Sequence, residues 1–230
     1  MKTNYRWLYF VTAAALLLPL MLLLQHVFAS EGEKIVYITF DDGPTLNTPH
    51  IVETLNKYNA KATFFVLEER IILYPEFIKQ IVHSGNAVGL HGVSHSGAIY
   101  ATPTSPLEEM KKTNKSLENL IGKGSRLVRV PFGSSYRLTL AQAKHLTDNG
   151  FIIWDWNVDP RDSVGTIVPQ KVLSNLRKGI SSCRETPVIL FHDRKSTLNL
   201  LPYVLEYLSQ EGYTMLPISE KQTPINQVKK

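Results

Sequence analysis

The chain has 230 residues, with 25 lysines and arginines against 20 aspartates and glutamates, 43% hydrophobic residues and a single cysteine. That composition excludes a disordered, collagen-like or polytopic membrane protein, and the lone Cys183, a packed or free surface thiol, excludes an internal disulfide framework. The net charge of +5, which falls to +3 if Lys2 and Arg6 are removed with the first 29 residues, is too mild to argue for a nucleic-acid partner.

Lys2 and Arg6 precede a charge-free apolar run, Leu8 to Leu24, that ends near Val27-Phe28-Ala29. This is the layout of a secretory signal. The run is 17 residues long and carries Pro19, against the ~20 residues of a spanning helix, so an uncleaved N-terminal anchor is the alternative reading. In both cases Ser30 onward is expected outside the membrane, secreted or held at the cell surface, with membrane contact through the leader only. The expected organisation is a leader or anchor over residues 1–29, one domain over 30–218 and a polar, frayed tail over 219–230.

From Lys34 on, short runs rich in β-branched and aromatic residues alternate with segments of helical spacing. The predicted strands are Ile35–Phe40, Ala62–Val66, Ala87–Leu90, Leu127–Val130, Phe151–Trp156, Val188–Phe191 and Thr214–Pro217. Thr48 before Pro49 marks one helix start; Ser105-Pro106-Leu107-Glu108 reads as a capping box with proline in the first helical position. Strands joined one after another by helical segments require a parallel sheet, either open or closed into a barrel. No glycine-rich phosphate fingerprint follows the first strand; Asp41-Asp42-Gly43-Pro44 stands there instead.

In such an architecture the C-terminal ends of the strands converge on one face, and that face carries the chemistry. Five predicted strand ends bear ionisable residues: Asp41 with Asp42, His91 with His95, Arg129, Asp159 with Asp162, and His192. Charges gathered beside apolar strands cost desolvation, and a shared metal ion would offset it. His91 and His95 are four apart, so a helical turn there would put two imidazoles on one face. Adjacent strand residues point to opposite faces, so Asp41 and Asp42 reach one site only where the strand ends, and Gly43-Pro44 supplies a turn. One carboxylate could then bind an ion while the other stays free as a base. Arg129 beside a carboxylate would keep it charged and oriented. His26, His50, His83 and His145 lack such company and read as background.

Together these residues resemble the polysaccharide deacetylase family, also called the NodB homology domain or carbohydrate esterase family 4. The resemblance covers Lys34 to Leu216 through five motifs in order: Thr39-Phe40-Asp41-Asp42-Gly43-Pro44, His91-Gly92-Val93-Ser94-His95, Arg129-Val130-Pro131-Phe132-Gly133, Trp156-Asn157-Val158-Asp159-Pro160-Arg161-Asp162, and Leu190-Phe191-His192. It implies a single-domain α/β fold, a distorted (β/α)7 barrel. It implies that Asp42, His91 and His95 hold one divalent metal ion, zinc or another transition metal such as cobalt, and that Asp41 is the general base. Arg129 would orient Asp41, His192 would be the general acid, and Asp159 or Asp162 would set its charge. The backbone N–H of Phe132 would bind the oxyanion, with Pro131, Phe132, Gly133, Trp156 and Leu190 bordering the substrate.

The activity so implied is removal of N-acetyl groups from an N-acetylhexosamine polymer, peptidoglycan ahead of chitin-type oligomers, by a monomer. Two rivals share the fold. An O-acetyl esterase would need less help from His192, and a catalytically silent wall-binding protein would have lost a reactive group, which this chain has not. Phosphoryl transfer with magnesium is disfavoured, because imidazole ligands favour softer ions. Two positions depart from the family pattern: Gly92 stands where Ser or Thr usually follows the first metal histidine, leaving its hydrogen bond to be lost or supplied by Ser94, and Ser163 replaces a groove-lining tryptophan. Trp154 or Trp156 could compensate only by facing the groove.

Overall fold

In the computed structural model, residues 33–164 and 167–228 are described. The leader expected over residues 1–29 lies outside them. Among the described residues seven strands form one sheet: β1 (Lys34–Gly43), β2 (Ala62–Val66), β3 (Ala87–Leu90), β4 (Leu127–Val128), β5 (Ile152–Ile153), β6 (Val188–His192) and β7 (Tyr213–Met215). All seven predicted strands are present, with β4 and β5 shorter than expected and β1 three residues longer at its C-terminal end.

The order is β5-β4-β3-β2-β1-β6, with β7 also on β1, and the pairs along that path are parallel. Beyond β5 the chain reaches back to β6 through a single parallel bridge, Val158 to Ile189. The curled sheet is therefore joined there by irregular backbone, which gives the distorted (β/α)7 barrel. The larger helices are α1 (Thr48–Lys57), α2 (Glu68–Leu73), α3 (Pro75–His83), α4 (Ser105–Ile121), α5 (Leu140–Asp148), α6 (Pro169–Ser182) and α7 (Lys195–Gln210).

Strand parity divides the core in two. Val36, Ile38 and Phe40 of β1, Ala62, Phe64 and Val66 of β2, and Ile189 and Phe191 of β6 pack outward against the helices. Tyr37, Phe65, Leu127, Trp154 and Val188 pack in a smaller cluster inside the barrel. Phe65 fits because β3 offers Gly89, where an added Cβ would stand 2.5 Å from its ring. The inner register, continued upward, carries Asp41, Arg129 and His192 to the C-terminal end of the barrel.

The capping box expected at Ser105 does not form. The N-cap of α4 is Thr104, without a side-chain cap, and the box instead opens α5, where the Thr139 side chain accepts from Gln142 N and Gln142 reaches back to Thr139 N. Nor are residues 219–228 a frayed tail. Ile218 is buried, Ile225 packs on the inner cluster, and Val228 packs on the outer one. Cys183 is half-buried and free.

Candidate active site

Asp41 takes the inward direction that its parity with Tyr37 and Thr39 dictates, and it is buried. Asp42 should point outward. Contrary to the expectation that the strand ends there, β1 runs through Gly43, and a bulge between Phe40 and Gly43, with φ +69° at Asp42, turns that residue's carboxylate to the same end of the barrel. His95, Phe132 and Arg161 also have positive φ, so among the described residues four of the five such non-glycine residues lie at the C-terminal end of a strand or in the loops beyond it. Backbone strain gathered in one place marks a site that the surrounding fold is holding.

The two histidines meet by a different route from the one their spacing suggests. Residues 91–96 form no helical turn; Gly92 at φ +89° and His95 at φ +54° fold the loop so that the rings lie 5.2 Å apart. Nδ1 of His91 lies 2.7 Å from the carbonyl of Arg129, so it donates there and leaves Nε2 as a lone pair. Nε2 of His91 and Nε2 of His95 each lie 3.6 Å from Oδ1 of Asp42.

That Asp42 oxygen is buried and accepts no hydrogen bond from the described residues. Burial raises the Asp42 pKa, but the imidazoles of His91 and His95, then His192 and Arg194, outweigh it, and the carboxyl sits below its ordinary value. Burial pushes His91 below its ordinary value against the pull of Asp41 and Asp42, which favours the neutral, ligating ring. The three donor atoms fall within 4.8 Å of one another. An orphaned carboxylate oxygen facing two imidazole lone pairs is a fit for a divalent ion, and these residues form a possible metal site.

Asp41 is held by Arg129, which is fully buried. Its Nη1 donates to Oδ1 of Asp41 at 2.9 Å and to Oγ1 of Thr39 at 2.7 Å, Nε to the carbonyl of Trp154 at 3.2 Å, and Nη2 to the carbonyl of Asp155 at 2.9 Å. The guanidinium rests 4.2 Å above the Phe65 ring. A buried ion pair so completely hydrogen-bonded has one orientation, leaving Oδ2 of Asp41 3.8 Å from Nε2 of His91 at the edge of the metal site.

On the other side stands His192. Its Nδ1 lies 2.8 Å from Oδ1 of Asp162, and its backbone N–H donates to Oδ2 at 2.9 Å. Burial lowers the His192 pKa, but the hydrogen bond and charge of Asp162, with Asp41 and Asp42, lift it above its ordinary value. Of the two aspartates expected to serve this ring, Asp162 does so. Asp159 is exposed, accepts the N–H of Arg161 at 2.8 Å, and lines a separate cleft of about 560 Å³ with Asn175 and Lys178.

The expected substrate border is uneven. Phe132 is exposed and meets His95 edge-on at 4.5 Å, with the Arg137 guanidinium 5.2 Å from its ring centroid as a cation–π partner. Its N–H makes no hydrogen bond to another described residue. Trp156 is half-buried, whereas Pro131, Gly133 and Leu190 are buried. Trp154 is sealed in the barrel and cannot replace the wall lost at Ser163.

Four residues that the sequence reading passed over take part. Glu109 of α4 accepts the N–H of Val93 at 2.9 Å and so pins the histidine loop, the task that exposed Ser94 does not perform. Asp193 holds Thr45 and Thr48 beneath the Asp41–Pro44 turn. Arg194 reaches Oδ2 of Asp42 at 3.3 Å. Asp155 ties the loop after Arg129 by accepting the N–H of Ser134 at 2.9 Å. Only Asp155, a charge inside the predicted strand Phe151–Trp156, carried a signal, because a carboxylate there needs partners.

The polysaccharide deacetylase family model matches residues 29–149. YheN of Bacillus subtilis, a candidate polysaccharide deacetylase, is 37% identical over 215 residues, 90% of this chain and 75% of that protein. A peptidoglycan-N-acetylglucosamine deacetylase of Bacillus cereus is 31% identical over 210 residues, 86% of this chain and 75% of its own length. The crystal structure of a polysaccharide deacetylase from Bacillus cereus superposes with a TM-score of 0.77 at 29% identity, over 84% of this chain and 97% of that one. With five motifs brought to one end of one barrel, the chain belongs to the polysaccharide deacetylase family.

Proposed function

We propose that the protein is a metal-dependent N-deacetylase of peptidoglycan, acting on N-acetylhexosamine units outside the membrane. The observation that carries the reading is the buried, partnerless Oδ1 of Asp42 facing two imidazole nitrogens, flanked by an arginine-held aspartate and an aspartate-held histidine. The substrate class is supported by the relative named as a peptidoglycan-N-acetylglucosamine deacetylase. Export is supported by the leader sequence.

Asp42, His91 and His95 would hold the ion, with zinc suited to one carboxylate and two imidazoles. When bound, it supplies Lewis acidity and eases ionisation of water. Asp41, fixed by Arg129, takes the proton from the attacking water through the carboxylate oxygen that Arg129 leaves free. The unpaired N–H of Phe132 receives charge developing on the acetamide oxygen. His192, its Nδ1 occupied by Asp162, gives its Nε2 proton to the departing nitrogen, so acetate and a free amine result. A raised pKa suits that role, because an amide nitrogen leaves only when protonated.

The test is acetate release from peptidoglycan and from N-acetylglucosamine oligomers, with zinc, with a chelator, and with Asp41→Asn. Zinc-dependent release that the variant loses, greater from peptidoglycan, is expected. No release from either polymer by zinc-loaded protein rejects the reading.

A further inference from the structure

The ring of strands is weakest just beyond β5, where only residues 152 and 153 are paired as a strand, yet Arg129 takes two of its acceptors, the carbonyls of Trp154 and Asp155, from the next two residues. One flank of that irregular run is held by β4, through Trp154 N to Val128 O at 2.8 Å. The other flank is held by the segment Ser219–Val228. Asp155 N donates to the carbonyl of Ile225 at 2.7 Å, Gln227 N donates to Oδ2 of Asp155 at 2.7 Å, and Nε2 of Gln227 donates to the carbonyl of Trp156 at 2.9 Å. The Ile225 side chain packs on the inner cluster that contains Trp154.

Asp155 is buried, and its carboxylate joins two otherwise separate parts of the chain. Oδ1 takes the N–H of Ser134, at the end of the loop that presents Phe132, and Oδ2 takes the Ser134 hydroxyl as well as Gln227 N. A buried carboxylate that loses a donor shifts or leaves a charge under-solvated, so its position depends on all of them.

We infer that Ile225 and Gln227 are positioning residues of the active site. Acting through Asp155, they hold both the main-chain acceptors of Arg129 and the Phe132 loop in register with Asp41. The assignment rests on the roles given to Arg129 and Phe132 above. It makes the C-terminal segment part of the site without contact with substrate.

The test compares wild-type protein with Gln227→Pro, which removes both donors of Gln227, and with Gln227→Ala, which removes only the contact to Trp156. Three quantities are read: the kcat and KM for acetate release, the zinc affinity, and amide hydrogen exchange at Ser134. In Gln227→Pro, kcat is expected to fall about tenfold with KM and zinc affinity unchanged, and Ser134 to exchange about tenfold faster, the scale of one or two net hydrogen bonds. Gln227→Ala is expected to show the same pattern at about two- to fivefold. A general loosening would lower zinc affinity with kcat in both variants, and that result overturns the inference. Unchanged exchange at Ser134 in both variants overturns it whatever the activity. Faster exchange in a protein whose wild type releases no acetate sustains the coupling and rejects the functional reading instead.

Discussion

His192 and Asp162 share two hydrogen bonds, Nδ1 to Oδ1 at 2.8 Å and backbone N–H to Oδ2 at 2.9 Å, so one carboxylate fixes both the ring and the main chain that carries it. The ring is thereby limited to presenting Nε2. Its pKa lies above the ordinary 6.5, so the charged form's contribution to stability is complete below that pH and is lost as pH rises through the raised value. Activity that needs the charged ring falls over the same interval. Asp162→Asn is expected to move the alkaline limb of kcat/KM to lower pH and to cost at least ~10-fold in kcat. Asp159→Asn should leave the limb in place, which pH–rate profiles of both variants check.

Arg129→Met leaves Asp41 buried beside no cation. Breaking a buried pair by removing one partner costs about 3–5 kcal/mol, and urea unfolding should show a loss of that order with near-complete loss of acetate release. The double variant Arg129→Met/Asp41→Asn is expected to recover part of the stability and none of the activity, because the uncompensated charge is gone but so is the base.

Zinc should stabilise the protein through Asp42, His91 and His95. At a hundredfold excess over Kd the gain is about 2.7 kcal/mol, visible as a raised Tm. His95→Ala should abolish the rise, and His145→Ala, half-buried in the last turn of α5, should keep it.

Gly92 is required by its backbone. At φ +89°, and with an added Cβ only 3.0 Å from Oε2 of Glu109, Gly92→Ser is expected to cost roughly 1–3 kcal/mol in denaturant unfolding. Glu109→Gln retains an acceptor for Val93 N and should keep zinc affinity, whereas Glu109→Ala should weaken it about 10- to 100-fold by freeing the histidine loop.

The helix cap at Thr139 is a control distant in role from the chemistry. Thr139→Ala should lower stability by about 0.5–2 kcal/mol with kcat unchanged.

The alternation of β-branched runs with helical spacing was enough to establish seven strands, their parallel pairing and the end of the barrel at which Asp41, His91, Arg129 and His192 would meet, because period and connection length are local properties of the chain. Motif order was enough for the family. Tertiary structure alone decided how the groups converge. Asp42 joins Asp41 through a bulge at positive φ, His95 joins His91 through a folded loop in place of a helical turn, and Asp162 rather than Asp159 takes His192. It also decided that Glu109 and Gln227, 17 residues after Gly92 and 72 after Asp155 in the chain, complete the site. A side chain's direction follows from strand parity only while the backbone is regular, and hydrogen-bond partners distant in sequence become neighbours only once the barrel has closed.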